Sequence, residues 1–354
     1  ATNSSSLPVS SSSSICCGDR SSATRSIANS RSCERSTFER RQLSVIAASP
    51  MIEVSTPAPT TAAAGSEKIT LTTDVVKATF DSQGGTLVHL ELLGYKDSVH
   101  RKWYEAFLDV FSSRPAAQDT PNIVLFDQTG KRVYLAQTGL ITAQPGVTLP
   151  THLTQMKPVV SERSLKDGSN ELQIRFESPA ADGLRLVKTY TLKRGEYTIG
   201  VKHEFINDSA QPVTPQLYLQ LARDGNPPEG ESSFYFTFTG PAMYTEAGKF
   251  HKIDFKDIEK GKVDIPKSAD NGWVAMVQHY FASAWVLAGN EPRDFRVQKV
   301  GDNLYSIAMV VPLGEVAAGG RKELQSTLFA GPQEENKLAA LAPGLELVKD
   351  YGWF

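Results

Sequence analysis

The chain has 354 residues, 40% of them hydrophobic and 21% charged, and 37 Lys and Arg against 39 Asp and Glu leave a net charge of −2. That length suffices for one large domain or two ordinary ones, and the even balance lacks the basic excess of a general nucleic-acid binder. No run approaches the roughly 18 apolar residues that cross a bilayer as a helix.

Residues 1–66 read as a leader and a linker rather than a folded domain. The first 50 carry 16 Ser, six Arg and only three acidic residues, the composition of an organelle transit peptide or of a disordered leader. All three cysteines, Cys16, Cys17 and Cys33, lie here. Their spacing makes neither a CxxC pair nor a zinc set. Thr56 to Gly65 is a Pro/Ala/Thr stretch with too little apolar content to order itself.

From Lys68 onward, period two takes over. Val76, Ala78 and Phe80 alternate, and Asp81-Ser82-Gln83-Gly84-Gly85 makes a turn before Val88, Leu90 and Leu92. The same alternation recurs at Leu172, Ile174, Phe176; at Tyr197, Ile199, Val201, His203, Phe205; at Leu217, Leu219, Leu221; and at Phe234, Phe236, Phe238. Each marks a strand with one buried face. The breaks carry turn chemistry, as in Lys193-Arg194-Gly195-Glu196 and Asp224-Gly225-Asn226-Pro227. Strand follows strand without helices between, which predicts antiparallel sheets packed as a sandwich over residues 67–331.

Two segments read as helix. Residues 99–114 place Trp103, Phe107, Val110 and Phe111 on one face, a possible helical insertion. Residues 332–342 begin with Pro332, suited to a first helical turn. They carry Glu334 and Glu335 at the positive end of the dipole and stop at Pro343-Gly344. Leu338 and Leu341 form its apolar stripe, packed on a sheet edge or offered to a partner.

Signatures of chemistry are sparse. The sequence has no GxxxxGK[ST] loop, no HExxH and no GxSxG. The six histidines, His89, His100, His152, His203, His251 and His279, show no metal-ligand spacing, and no paired carboxylates stand out. No cofactor and no metal are expected. The aromatic groups Trp273, Tyr280, Phe281, Trp285 and Phe234, Tyr235, Phe236, Phe238 read first as core filling.

Several strings carry a resemblance. Asn271-Gly272-Trp273-Val274-Ala275-Met276-Val277-Gln278-His279-Tyr280-Phe281-Ala282-Ser283-Ala284-Trp285 resembles the GWVAM-x-Q-x-YF-x-x-AW signature of the periplasmic domain of the bacterial membrane protein insertase family, YidC. Lys188 to Tyr197 looks like that family's hairpin, and Ser326 to Pro332 like its last strand leading into its helix. Leu347 to Phe354 looks like the entry to its second transmembrane segment, and Phe80 to Gly85 like its opening strand and turn. The resemblance covers about Ser66 to Phe354 and leaves out the leader and residues 99–114.

The family implies an all-β fold, a large antiparallel β-supersandwich of mutarotase-like shape with a short C-terminal helix. It implies no catalysis by this domain, since insertion belongs to a later transmembrane bundle. Expected partners are accessory subunits of the Sec translocon and membrane protein substrates, on the periplasmic side of a bacterial inner membrane. The implied contact region runs from Pro215 to Ile258, with Glu229, Glu231, Lys249, Lys252 and Lys256 as candidate contacts, Lys260 beside them, and Leu338 and Leu341 on the bracing helix of residues 332–342, within a C-terminal segment 332–354 that also begins the membrane entry. Tyr351 and Trp353 suit the aromatic belt at a membrane interface. The alternative is a mutarotase-like carbohydrate-binding or sugar-epimerising protein, with His203 or His279 working beside a Glu. A chaperone-like cleft is a weaker third reading.

Overall fold

A computed structural model describes residues 65–96, 121–129, 132–228 and 237–349. The predicted helix at 99–114, the leader and most of the Phe234–Phe238 alternation fall outside the described residues.

Among the described residues, 18 strands, numbered in chain order, form two antiparallel sheets. The first sheet runs in space as β1 (Lys68–Thr72), β2 (Val76–Asp81), β3 (Thr86–Lys96), β5 (Tyr134–Ile141), β10 (Gln216–Asp224), β17 (Leu304–Pro312), β16 (Arg293–Gly301) and β13 (Ser268–Ala269), with β4 (Asn122–Val124) beside β3. The second runs as β12 (Lys249–Lys252), β11 (Thr239–Thr245), β14 (Trp273–Gln278), β15 (Phe281–Val286), β18 (Arg321–Pro332), β9 (Thr198–Asn207), β8 (Leu184–Lys193), β7 (Glu171–Glu177) and β6 (Lys157–Val160). This is the all-β supersandwich that the period-two pattern and the family resemblance predicted.

The main core lies between the sheets. Leu217, Leu219 and Leu221 from the first sheet meet Leu172, Ile174, Phe176, Ile199, Val201 and Phe205 from the second. One expected alternation breaks. A β-bulge opposite Thr79 and Phe80 drops Val88 from the ladder. Leu87 then joins Leu90 and Leu92 in this core in its place. A bulge shifts every side chain on one side of it by one position, so the sequence period cannot show it.

Strands β14 and β15 are buried along nearly their whole length. Val274, Met276 and Trp285 point into the main core, while Trp273, Ala275, Val277, Ala282, Ala284 and Val286 face the other way. That second face is covered by α2 (Glu335–Leu341) and a 3-10 turn at Leu345–Val348, which insert Leu338, Leu345 and Val348. Ala242, Ala275, Ala282 and Ala284 keep this face low, so the helix can lie close. The expected helix therefore starts later than its proline suggested. Pro332 is the last residue of β18, paired with Phe281.

The reversal after α2 is fixed by Gly344. Its φ is 75°, and a Cβ there would stand 2.6 Å from the Tyr244 ring. Trp273 Nε1 donates to Pro343 O at 3.0 Å and its ring stacks on Tyr244. A shorter helix, α1 (Phe255–Glu259), follows β12. Arg293 is 1% exposed and donates all its N–H groups to five backbone carbonyls, those of Asp270, Gly272, Leu287, Gly289 and Glu291. It ties the loop before β14 to the loop after β15. Among the described residues no helix is long and apolar enough to cross a membrane.

Leu338 is completely buried between α2 and the sheet. Leu338→Ala is expected to cost about 2–5 kcal/mol by transfer and cavity terms, lowering the urea midpoint without changing the slope of the transition. Leu341→Ala, at a half-buried position, is expected to cost clearly less.

Candidate docking surfaces

Among the described residues, strand β12 ends one side of the second sheet and pairs with β11. Its length is short because Lys249 takes a left-handed φ of 65° and Asp254 opens α1. The edge and the helix bring Lys249, Lys252, Lys256 and Lys260 together, all exposed. Lys252 Nζ lies 5.3 Å from the Phe238 ring centre. Asp254 and Asp257 stand among these lysines at the start of α1, while Glu259 is drawn to the first sheet. It accepts from Tyr305 Oη at 2.6 Å and pairs with Lys299 at 2.9 Å, and these contacts hold its carboxyl below the usual range. The result is a lysine-rich ledge along β12, which ends the second sheet among the described residues. Lysines on an edge also discourage pairing between sheets of different molecules.

Of the other predicted contacts, Leu338 is core and Leu341 is half-buried beside it. Glu229, Glu231, Tyr351 and Trp353 lie outside the described residues. Tyr280 does not fill the core with Trp273 and Trp285. It sits in the turn between β14 and β15 and is 69% exposed. Periodicity carries no information at a turn, so the aromatic cluster in the sequence could not separate it from its neighbours.

The outer face of β18, β9, β8, β7 and β6 forms a groove of about 790 Å³ that the sequence reading missed. Gln173, Arg175, Thr189, Thr191, Lys202 and Gln325 line it, and none of its lining side chains is aromatic. A face built for sugar stacking would present rings.

The two histidines of the carbohydrate reading are placed differently from one another. His279 hydrogen-bonds Thr237 Oγ1 through Nδ1 at 2.8 Å. His203 is 2% exposed and looks into the core, where Nε2 meets Thr138 Oγ1 at 2.9 Å. Beside it is Lys188, paired with it across β8 and β9 and fully buried. Lys188 Nζ donates to Gly84 O and to Thr138 O, both at 2.6 Å, and Tyr190 Oη donates to Gly85 O at 2.6 Å. These bonds tie the second sheet to the first. Burial pushes the Lys188 amine down from 10.5 to about 7, and a neutral amine has two hydrogens for its two carbonyls. Burial, then the Lys188 charge, pushes His203 well below its usual value. The sequence did carry a signal for this cluster, since Lys188 falls in the inward register of Leu186, Tyr190 and Leu192.

The arrangement defines a two-sheet β-supersandwich domain whose buried Lys188 and Tyr190 join the sheets. Residues 68–354 match the family described as the YidC periplasmic domain, and the chain belongs to that family. Among curated relatives, the "Membrane protein insertase YidC" of Janthinobacterium sp. (strain Marseille) is 46% identical over 81% of this chain and 47% of its own length. That of Herminiimonas arsenicoxydans is 43% identical, over 82% of this chain and 47% of its own. The chain thus spans about half the length of these relatives. Among solved structures, a putative aldose 1-epimerase from Escherichia coli K12 is 11% identical with a TM-score of 0.41, covering 75% of this chain and 99% of that one. A galactose mutarotase-like protein from Lactobacillus casei is 12% identical with a TM-score of 0.42, covering 75% and 100%. Likeness at that level carries no argument about function.

The Lys188 site makes stability depend on pH. Between about 7 and 10.5 the unfolded lysine holds a proton that the folded one lacks, so stability rises with pH across that window. Below about 7 both states are protonated and that contribution is lost. The buried phenols of Tyr134, Tyr190 and Tyr218, all pushed up from 10.0, oppose the rise only once unfolded tyrosines ionise. The urea midpoint of the wild-type chain is expected to climb from pH 7 to pH 9. In Lys188→Met the same measurement is expected to show no such climb.

Proposed function

We propose that this chain is the non-catalytic, extracytoplasmic domain of a membrane protein insertase, standing on the periplasmic side of a bacterial inner membrane. It docks accessory subunits of the Sec translocon through β11, β12 and α1, and it supports the remainder of the insertase while membrane protein substrates enter the bilayer. The observation that carries this reading is the family match, which runs through both sheets and the C-terminal helix. That the Janthinobacterium and Herminiimonas relatives are membrane protein insertases supports the same activity for the whole protein. The ledge carries four exposed lysines, Lys249, Lys252, Lys256 and Lys260, with Asp254 and Asp257 among them, and its lysines suit encounter with an acidic partner face. Tyr351 and Trp353, just beyond Lys349, suit the membrane interface into which the chain continues in this reading.

The test is retention of purified translocon accessory subunits on the immobilised chain at rising salt. Lys249→Glu, Lys252→Glu and Lys256→Glu together are expected to weaken retention roughly tenfold, from about 0.5 kcal/mol per lost exposed pair. The variant is also expected to show a flatter salt dependence. Equal retention by wild type and triple variant at all salt concentrations removes this face as the docking surface.

A further inference from the structure

The path of the last described residues brings the chain back on itself. β18 hands over at Pro332 to Gln333, whose N–H donates to Tyr280 O at 2.9 Å and whose side-chain amide donates to Phe281 O at 3.0 Å. So α2 begins beside the β14–β15 turn. It runs to the opposite end of β14, where Pro343 O meets the Trp273 indole. The 3-10 turn then doubles back, and Lys349 Nζ reaches Glu335 Oε2 at 3.2 Å. Lys349 therefore stands at the start of α2, on the same end of the sandwich as the β14–β15 turn.

That end is rich in aromatic side chains. Tyr95 packs edge-on against Phe281 at 5.6 Å and against Tyr197 at 6.2 Å, and Lys337 Nζ lies 5.9 Å from the Tyr197 ring. These rings are half-buried and support one another. Tyr280 is different, with 69% of its surface exposed. It is not loosely held. His279 before it takes a φ of 37°, a left-handed conformation unfavourable for a side chain, and is fixed there by its bond to Thr237. The His279 ring lies edge-on to the Tyr280 ring at 3.8 Å. The turn is thus built to hold a phenol out from the protein surface.

We propose that the β14–β15 turn is a lipid contact, with the Tyr280 ring entering the headgroup layer of the membrane beside which the domain stands. This deepens the function proposed above and rests on its reading that the chain continues into the membrane beyond Lys349. Covalent reach supplies the distance argument. At about 3.5 Å per residue, Tyr351 lies at most about 7 Å and Trp353 at most about 14 Å from Lys349. A domain whose exit point is held that near the interface presents this end to the lipid. A tyrosine, apolar along its ring and polar at its tip, is the side chain that such a boundary favours. The mixed lysines and glutamates around it suit a headgroup layer better than a hydrocarbon interior.

The test uses the full chain with Cys16, Cys17 and Cys33 replaced by Ser. It is tethered through a histidine tag after Phe354 to phosphatidylethanolamine/phosphatidylglycerol vesicles containing a nickel-chelating lipid. An environment-sensitive fluorophore is placed at Tyr280→Cys or, as control, at Ala318→Cys. Ala318 is exposed at the far end of the 12-residue β18, about 40 Å away at strand rise. The expected result is a blue-shift at position 280, with quenching by lipids brominated near the headgroup and none at position 318. No shift at 280, or a shift at 318 instead, overturns the proposal. Protection of the 280 label by added translocon subunits rather than by lipid overturns it too. Retention of the translocon subunits is read separately on the lysine ledge. Loss of the lipid contact with retention intact leaves the proposed function standing, and loss of retention alone leaves the lipid contact standing.

Discussion

Strands β14 and β15 are apolar on both faces, and in water such a ribbon must be covered twice. The first sheet covers one face and closes the main core. The C-terminal helix and its 3-10 turn cover the other. Much of the molecule's outer arrangement follows from this second cover. The helix can approach only because four alanines line the face beneath it. The chain must then reverse at Gly344 to bring Leu345 and Val348 onto the same face, and the reversal returns Lys349 to the starting end of the helix.

The interior joins the sheets with polar ties as well as apolar contacts. Lys188 and Tyr190 reach from β8 to the backbone of the Gly84-Gly85 turn and of β5. Trp285 Nε1 on β15 donates to Gln220 O on β10 at 3.0 Å, and Tyr134 on β5 hydrogen-bonds Ser283 on β15. Oil-like contacts tolerate sliding of one sheet over the other, whereas a buried donor stranded from its acceptor costs roughly 1–3 kcal/mol. These ties therefore fix the relative placement of the sheets. They also account for the histidine and lysine in the core without invoking any ligand.

The lysine edge and the aromatic end are linked through the same helix. Tyr244 of β11 and Phe250 of β12 pack against the cluster beneath α2, and the Tyr280 turn is hydrogen-bonded to the segment that starts it. Packed side chains thus connect the lysine edge to the helix, and the helix leads to the end where Lys349 lies.

Local pattern alone determined the strand character of the chain, because alternation with a buried face is written residue by residue, as at Leu217, Leu219 and Leu221 or Leu172, Ile174 and Phe176. The family strings identified the fold and the class of protein for the same reason, since they are contiguous. Four things needed the tertiary structure. The bulge that swaps Val88 for Leu87 depends on a partner strand. The start of α2 depends on Pro332 finding Phe281 across the ladder rather than on proline's own preference. The inward Lys188 was visible as a charge in an apolar register, but its acceptors Gly84 and Thr138 are 104 and 50 residues away. The exposure of Tyr280 beside the buried Trp273 and Trp285 was settled by where the strands end. Sequence records which residues are apolar and how often they recur; which surfaces meet is decided only when distant segments compete for the same cover.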